Sequence, residues 1–317
     1  MCGLFGLVSK AWNQTEREIL ADLCLVSSLR GKSSTGVAFY IPDSVDNQYF
    51  IIKNDKSAGE YLMQGNVREM LRRKGLLCAM GHTRSGTPEI RNLKDTHPWF
   101  LEGPTAHIVG CHNGGVPSFS TNKKIDSYNI FQRIADVGLH KTVTKFKENE
   151  TAALTWMNLK TNTLNFYRNA YKPIYLTTFY NDSTLMWASE SGMLEFVIRR
   201  HNLKPDRIVK MCANDWLQFD MSSKRVGQIS RSYTIRTTDG NIKETNYSND
   251  DKKEEDLSFP CRVTWDHRMY GCKDDCYMCG SQFKLNERID MIHNDEGYCE
   301  LCQQTDLVKE YLREEGL

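Results

Sequence analysis

The sequence has no long hydrophobic run, no excess of charge of one sign and no leader-like N-terminus. In its 317 residues no stretch approaches the roughly 18 apolar residues that a transmembrane helix needs. Lys and Arg number 41 against 40 Asp and Glu, which disfavours nucleic-acid binding through bulk charge and leaves local basic patches open. No basic segment precedes the short apolar run after Met1, so we expect no signal peptide and a cytoplasmic protein.

A disulfide framework is the next feature that the sequence gives little reason to expect. The chain has 11 cysteines, an odd number, and six of them lie between Cys261 and Cys302. Without an export signal, this distribution favours reduced thiols and a local metal site over disulfides. Hydrophobic residues make up 40% of the chain, which is enough for a folded core.

The apolar pattern predicts an α+β domain over residues 2–236. Helices are expected over 15–29, 125–137 and 192–200, with a short basic helix over 66–73. Strands outnumber helices and follow one another in antiparallel-looking runs, which disfavours a doubly wound parallel sheet. The expected strands cover 4–8, 37–40, 49–53, 76–81, 107–112, 152–158, 164–168, 174–180, 184–189 and 216–220.

Two further regions follow the α+β domain. Residues 237–258 are polar and charged, with few core formers, and are predicted to be a linker. Residues 259–317 are predicted to form a second, small unit. Nothing in its mixture of basic, acidic and aromatic residues identifies nucleic-acid binding, and protein docking is slightly favoured.

Two CxxC pairs in this small unit predict a structural zinc site. The first and second pairs are separated by 19 residues, a spacing typical of zinc bound by four thiolates. A unit of this size usually needs its metal to fold. Less regularly spaced alternative ligands are Cys261, His267, Cys272 and His293. The predicted zinc ligands are Cys276, Cys279, Cys299 and Cys302.

Cys2 directly follows the initiator methionine. Aminopeptidases remove Met1 when the next residue is small, and the processed chain would then carry a thiol and a free α-amine on one residue. Such an amine has a pKa of about 7.7–8.0 and can act as general base for the thiol. Position alone leaves the alternative that Cys2 is an ordinary small residue near a terminus.

A series of short motifs changes that weighting, because all of them occur in one order. In that order the chain resembles the class II glutamine amidotransferases over roughly residues 2–220. The resemblance implies an αββα N-terminal-nucleophile hydrolase sandwich that hydrolyses the side-chain amide of glutamine through Cys2. The motifs are Cys2-Gly3-Leu4-Phe5-Gly6, Arg30-Gly31, Gly81-His82-Thr83-Arg84, His97-Pro98, His112-Asn113-Gly114, Lys172-Pro173-Ile174-Tyr175 and Ala188-Ser189-Glu190.

The resemblance gives Asn113 and Gly114 the task of stabilising the oxyanion. The Asn113 side-chain amide and the Gly114 backbone N–H would donate to the negatively charged oxygen that forms after Cys2 attacks. Taken alone, the same Asn-Gly pair is a common turn signal.

Four other residues are matched to substrate binding. Arg84 would bind the α-carboxylate of glutamine through its planar guanidinium, and Asp126 would bind the α-ammonium. Thr87 and His97 match positions beside the pocket. The alternatives are a surface arginine for Arg84, a helix N-terminal charge for Asp126 and a buried structural histidine for His97.

Arg30 and Gly31 match a pair that supports the nucleophile, and the sequence also departs from the family around the site. The residues after Arg84 are Ser85, Gly86, Thr87 and Pro88, without the usual aromatic residue and His-Gly. The loop that covers glutamine is therefore expected to differ in shape.

Three functional hypotheses remain open. The first is a glutaminase subunit that passes ammonia to a separate synthetase or transferase, because residues 237–317 leave no room for a familiar acceptor domain. The second is a free-standing glutaminase or a related amide hydrolase. The third is a non-catalytic binding protein of the same fold.

Overall fold

The computed structural model describes residues 2–44, 48–86, 93–169, 171–205, 207–238 and 241–247, with side chains described as far as Ile235. Fourteen strands lie in these residues. In chain order they are β1 (Gly3–Ser9), β2 (Ser34–Tyr40), β3 (Tyr49–Asn54), β4 (Cys78–Arg84), β5 (Trp99–Glu102), β6 (His107–Gly115), β7 (Thr151–Asn158), β8 (Thr163–Arg168), β9 (Tyr175–Phe179), β10 (Thr184–Ala188), β11 (Ile208–Lys210), β12 (Asp215–Asp220), β13 (Ile229–Thr238) and β14 (Asn241–Tyr247).

Six α-helices of the described chain connect these strands. The longest begins after Asn13, whose side-chain Oδ1 accepts from the Thr15 N–H while Glu16 accepts from the Asn13 N–H. This reciprocal cap satisfies N–H groups that the first turn cannot pair. The helices are α1 (Gln14–Ser27), α2 (Ala58–Leu62), α3 (Gly65–Leu71), α4 (Asp126–Val137), α5 (Leu139–Val143) and α6 (Ser191–Arg200).

The strands form two antiparallel sheets of seven strands each. Sheet A has the order β11-β9-β10-β1-β4-β2-β3, and sheet B has the order β14-β13-β12-β8-β7-β6-β5. The antiparallel pairing confirms the expectation drawn from the strand-rich pattern, and no parallel pair occurs among the described strands.

Three layers of buried apolar side chains hold the sheets and helices together. Phe5 and Leu7 of β1 face the helices α1 and α6, while Leu4 and Val8 face sheet B. A third cluster packs α4 and α5 on the outer face of sheet B. Burial on both faces explains why the β1 sequence is almost continuously apolar. The result is helix, sheet, sheet and helix in successive layers.

The main helices and strands predicted from periodicity are present, most of them with ends shifted by one to three residues. The sequence did not predict α2, α5, β5, β11, β13 or β14. Strand β14 lies inside residues 237–258, which were predicted to be a linker. A polar segment can form such a strand because backbone hydrogen bonds to β13, rather than apolar side chains, hold it in register. No helix within the described residues is long and apolar enough to cross a membrane.

Candidate functional site

Cys2 stands immediately before β1, with its thiol partly exposed. Arg30 holds the backbone there, because its Nε donates to the Cys2 carbonyl oxygen at 2.8 Å. The same guanidinium forms an ion pair with Glu190, and the Arg30 side chain is only 4% exposed. Arg30 thus fixes the backbone of the candidate nucleophile and is itself fixed by a carboxylate.

Arg84 ends the neighbouring strand β4 at the same edge. Gly3 pairs with Thr83 in the antiparallel ladder, so continuing the register places Cys2 beside Arg84. The next residue, Ser85, directs its backbone N–H to the Cys2 sulfur at 3.4 Å. No described carboxylate pairs with Arg84, whose guanidinium stays available to bind an anion next to the thiol.

Gly31 packs against the backbone that presents Arg84. A Cβ atom at this position would overlap the Arg84 carbonyl group and the Ser85 nitrogen. The Ser33 N–H also donates to the Arg84 carbonyl oxygen at 2.9 Å. A side chain at residue 31 would therefore push the Arg84 loop away from the thiol.

Asn113 reaches the same region from sheet B. Side chains alternate along β6, and Val109 and Cys111 face the layer between the sheets, so Asn113 faces sheet A as well. Its side chain is 3% exposed, and its Nδ2 has no hydrogen-bond partner in the described part of the chain. A buried amide that lacks an acceptor is costly, and such a group is characteristic of a site awaiting a ligand.

Gly114 supplies a backbone that only glycine accommodates readily. Its φ is +152°, and a Cβ atom there would overlap the Thr151 carbonyl oxygen. In an antiparallel strand, N–H groups of alternate residues point to the same side. The His112 N–H points away from β7, to His97, so the Gly114 N–H points to that side too.

Three buried histidines lie behind these donors. The rings of His82 and His97 are 4.0 Å apart, and the His112 N–H donates to His97 Nδ1 at 3.2 Å. Burial lowers the pKa of His82 to about 3, with further contributions from His112 and Arg84. Burial and the neighbouring histidines likewise hold the pKa of His97 well below its usual value. His97 is therefore neutral, and because Nδ1 accepts, its proton is on Nε2.

Lys53 adds a partly buried amine beside these histidines. Burial lowers its pKa to about 8, and its Nζ lies 5.3 Å from the centre of the Trp99 ring. Nothing in the sequence distinguished Lys53 from an ordinary surface lysine, since only the packing of the two sheet edges places it here.

Asp126 begins α4 and makes local hydrogen bonds. Its carboxylate accepts the N–H groups of Val116 and Ser127, each at 2.7 Å. Ser127 also links Asp126 to His112, since its hydroxyl lies 2.8 Å from His112 Nδ1. Binding of the substrate ammonium by Asp126 stays a prediction.

Some predicted residues fall outside the part of the chain that the structure describes. These are Thr87 and the four zinc ligands Cys276, Cys279, Cys299 and Cys302. Conversely, sequence reasoning gave no role to Ser85 or Glu190, both of which contact the Cys2 region. The Ala188-Ser189-Glu190 motif was the available signal for Glu190.

Comparisons with known proteins add the fold. No sequence model of a known protein family matches the chain, and no curated protein matches it either. Among solved structures, glutamine phosphoribosylpyrophosphate amidotransferase from B. subtilis, complexed with ADP and GMP, is 14% identical with a TM-score of 0.54. That match covers 78% of this chain and 50% of the solved chain.

A second solved structure, described as the allosteric regulatory enzyme of purine biosynthesis, is 13% identical with a TM-score of 0.55. It is matched over 78% of this chain and 49% of its own. The chain thus spans about half the length of the solved proteins it resembles. At this identity the likeness establishes a shared fold.

Proposed function

We propose that this chain is a class II glutamine amidotransferase glutaminase, with Cys2 as the nucleophile once Met1 has been removed. The observation that carries the proposal is the meeting of two half-sites. The Cys2 thiol and Arg84 lie at the edge of sheet A, and a buried, unpartnered Asn113 amide faces them from sheet B. The fold shared with two solved amidotransferases supports it.

The reaction follows from these groups. The α-amine of Cys2 takes the thiol proton, and the sulfur attacks the side-chain carbonyl carbon of glutamine. Asn113 and the Gly114 N–H stabilise the resulting oxyanion. Expulsion of ammonia, which receives the proton, leaves a γ-glutamyl thioester. Water then attacks the thioester, releases glutamate and restores the thiol.

Substrate orientation depends on the charged groups around the thiol. The Arg84 guanidinium binds the α-carboxylate in two-point fashion, and Asp126 binds the α-ammonium. His97 is neutral and lines the pocket without adding charge, and Thr87 completes the pocket. Recognition of both α-substituents selects a free amino acid over an amide within a peptide.

Intact mass and a glutaminase assay test the proposal together. We expect loss of Met1, release of glutamate and ammonia from glutamine, and covalent labelling of Cys2 by diazo-oxo-norleucine. Cys2→Ala should abolish both activity and labelling, while Cys24→Ala serves as the matched control. A protein that retains Met1 and resists labelling is not this enzyme.

We also propose that ammonia passes to a separate acceptor, a synthetase or transferase. The basis is the length of the chain, which spans about half of the solved amidotransferases. Affinity capture with the full chain, followed by an assay of glutamine-dependent amination in the captured material, tests this step. Capture of an enzyme that aminates its substrate equally well without this chain would contradict it.

We further propose that Cys276, Cys279, Cys299 and Cys302 bind one structural zinc ion. The support is their spacing alone, which suits tetrahedral thiolate coordination. Metal analysis of the full chain should give one zinc per chain, and Cys276→Ser should lower that content. Cys261→Ser, the control, should leave the zinc content unchanged.

A further inference from the structure

The segment that follows the proposed oxyanion donors is held entirely by side chains. Residues 115–118 carry three backbone N–H groups, because Pro117 has none. None of the three donates to a backbone carbonyl, and each has a side-chain oxygen as its acceptor. The bonds are Gly115 N–H to Thr151 Oγ1 at 3.1 Å, Val116 N–H to Asp126 Oδ2 at 2.7 Å and Ser118 N–H to Glu150 Oε1 at 2.6 Å.

Glu150 makes the largest contribution to this arrangement. Its carboxylate is 6% exposed and accepts three hydrogen bonds. Besides the Ser118 N–H, Oε2 accepts from the Ser118 hydroxyl and from the Lys147 N–H, each at 2.7 Å. Burial alone would raise the pKa of Glu150, but these donors outweigh it and lower the pKa below its usual value. The side chain is therefore an anion wherever the enzyme is active.

The position of this anchor connects it to the donors. Gly114 and Gly115 precede it, and successive glycines leave the backbone free to rotate unless their neighbours are held. Glu150 also precedes Thr151, whose carbonyl oxygen packs against Gly114 and whose hydroxyl binds the Gly115 N–H. One residue pair on β7 and its preceding loop thus fixes both ends of the segment.

We propose that Glu150 is a positioning residue for the oxyanion hole, acting through Ser118 and residues 114–118. It touches no substrate and transfers no proton. It keeps the Gly114 N–H and the Asn113 amide aimed at the point where negative charge develops. This inference rests on the proposed function, since it gives the oxyanion hole its support.

Glu150→Gln tests the inference with little change in size. The carboxylate offers two acceptor oxygens to three donors, whereas the amide has one acceptor oxygen and an NH₂ group that would face a donor. Two ligands separate positioning from binding. The γ-aldehyde analogue of glutamate adds the Cys2 thiol and forms a tetrahedral oxyanion, while glutamate itself binds without one.

In Glu150→Gln we expect aldehyde inhibition to weaken about tenfold and kcat to fall by a similar factor. The KM for glutamine and the inhibition constant of glutamate should stay within about twofold. Glu148→Gln, two residues away and exposed, is the matched control and should change none of these values. Ser118→Ala removes one of the three hydrogen bonds, and should weaken aldehyde inhibition about threefold if Glu150→Gln does not fold.

Two outcomes overturn the inference in distinguishable ways. If the wild-type protein hydrolyses glutamine and Glu150→Gln retains its aldehyde affinity, or loses aldehyde and glutamate affinity equally, Glu150 does not position the oxyanion hole. If the wild-type protein neither hydrolyses glutamine nor binds the aldehyde, the proposed function fails and this inference fails with it.

Discussion

The two halves of the site are built on different sheets and stabilised by opposite charges. On sheet A, the cation Arg30 holds a backbone carbonyl, that of Cys2. On sheet B, the anions Asp126 and Glu150 hold backbone N–H groups. The first half presents a nucleophile and the second presents donors. In each half, supporting charges hold the surrounding backbone and leave the proposed reacting groups unpaired.

The largest effect is expected from the donor half. Asn113→Ala removes a proposed oxyanion donor and should lower kcat about 10²–10³-fold with little change in KM, because the donor acts mainly on the transition state. Steady-state kinetics on glutamine measure both constants. Asn149→Ala, on an exposed loop, is the control. A rise in KM with unchanged kcat would place Asn113 in ground-state binding instead.

The nucleophile half should respond differently when its substrate anchor is changed. Arg84→Lys keeps the charge but loses the planar fork, so we expect KM for glutamine to rise about tenfold or more while kcat changes less. Arg72→Lys, on the exposed surface, should leave both constants unchanged. An Arg84→Lys enzyme with wild-type KM would show that another group binds the carboxylate.

The support of the nucleophile half is weakened by Glu190→Gln. Arg30 would keep its contact with the Cys2 carbonyl but lose the charge of its buried partner. We expect the free energy of unfolding to fall by roughly 1–3 kcal/mol. Urea unfolding measures the change, and Glu195→Gln on the same helix is the control. An unchanged unfolding free energy would mean that the ion pair contributes no net stability.

The buried histidines predict how stability depends on pH. His82 has a pKa of about 3 in the folded chain against a model value of 6.5, so between these values the unfolded chain binds a proton that the folded chain does not. Stability therefore falls as pH falls through this window, by up to about 1.4 kcal/mol per pH unit for each such histidine. His82→Gln should reduce this slope between pH 6 and pH 4.

Urea titrations at several pH values measure that slope, and His107→Gln, a partly exposed position on β6, controls for the substitution itself. Equal slopes in wild type and His82→Gln would contradict a neutral, buried His82 in the folded chain.

Local sequence patterns predicted much of the fold. The apolar residues of α1 recur at helical spacing and are buried, as Ile19 and Leu23 illustrate. The antiparallel arrangement was predicted from runs of short strands. Strands such as β5 and β14 were missed because their few apolar residues carry no clear period, and pairing with a neighbouring strand forms them.

The sequence by itself determined which chemistries were available: a cysteine that can become the terminus, an Asn-Gly pair and an arginine after a predicted strand. Only the tertiary structure decided which of them meet. Cys2 and Arg84 are neighbours because β1 and β4 pair in one register, and Asn113 faces them because β6 packs across the sheet interface. Glu150 and Glu190 act on backbone groups far from them in sequence, and such contacts follow no local pattern.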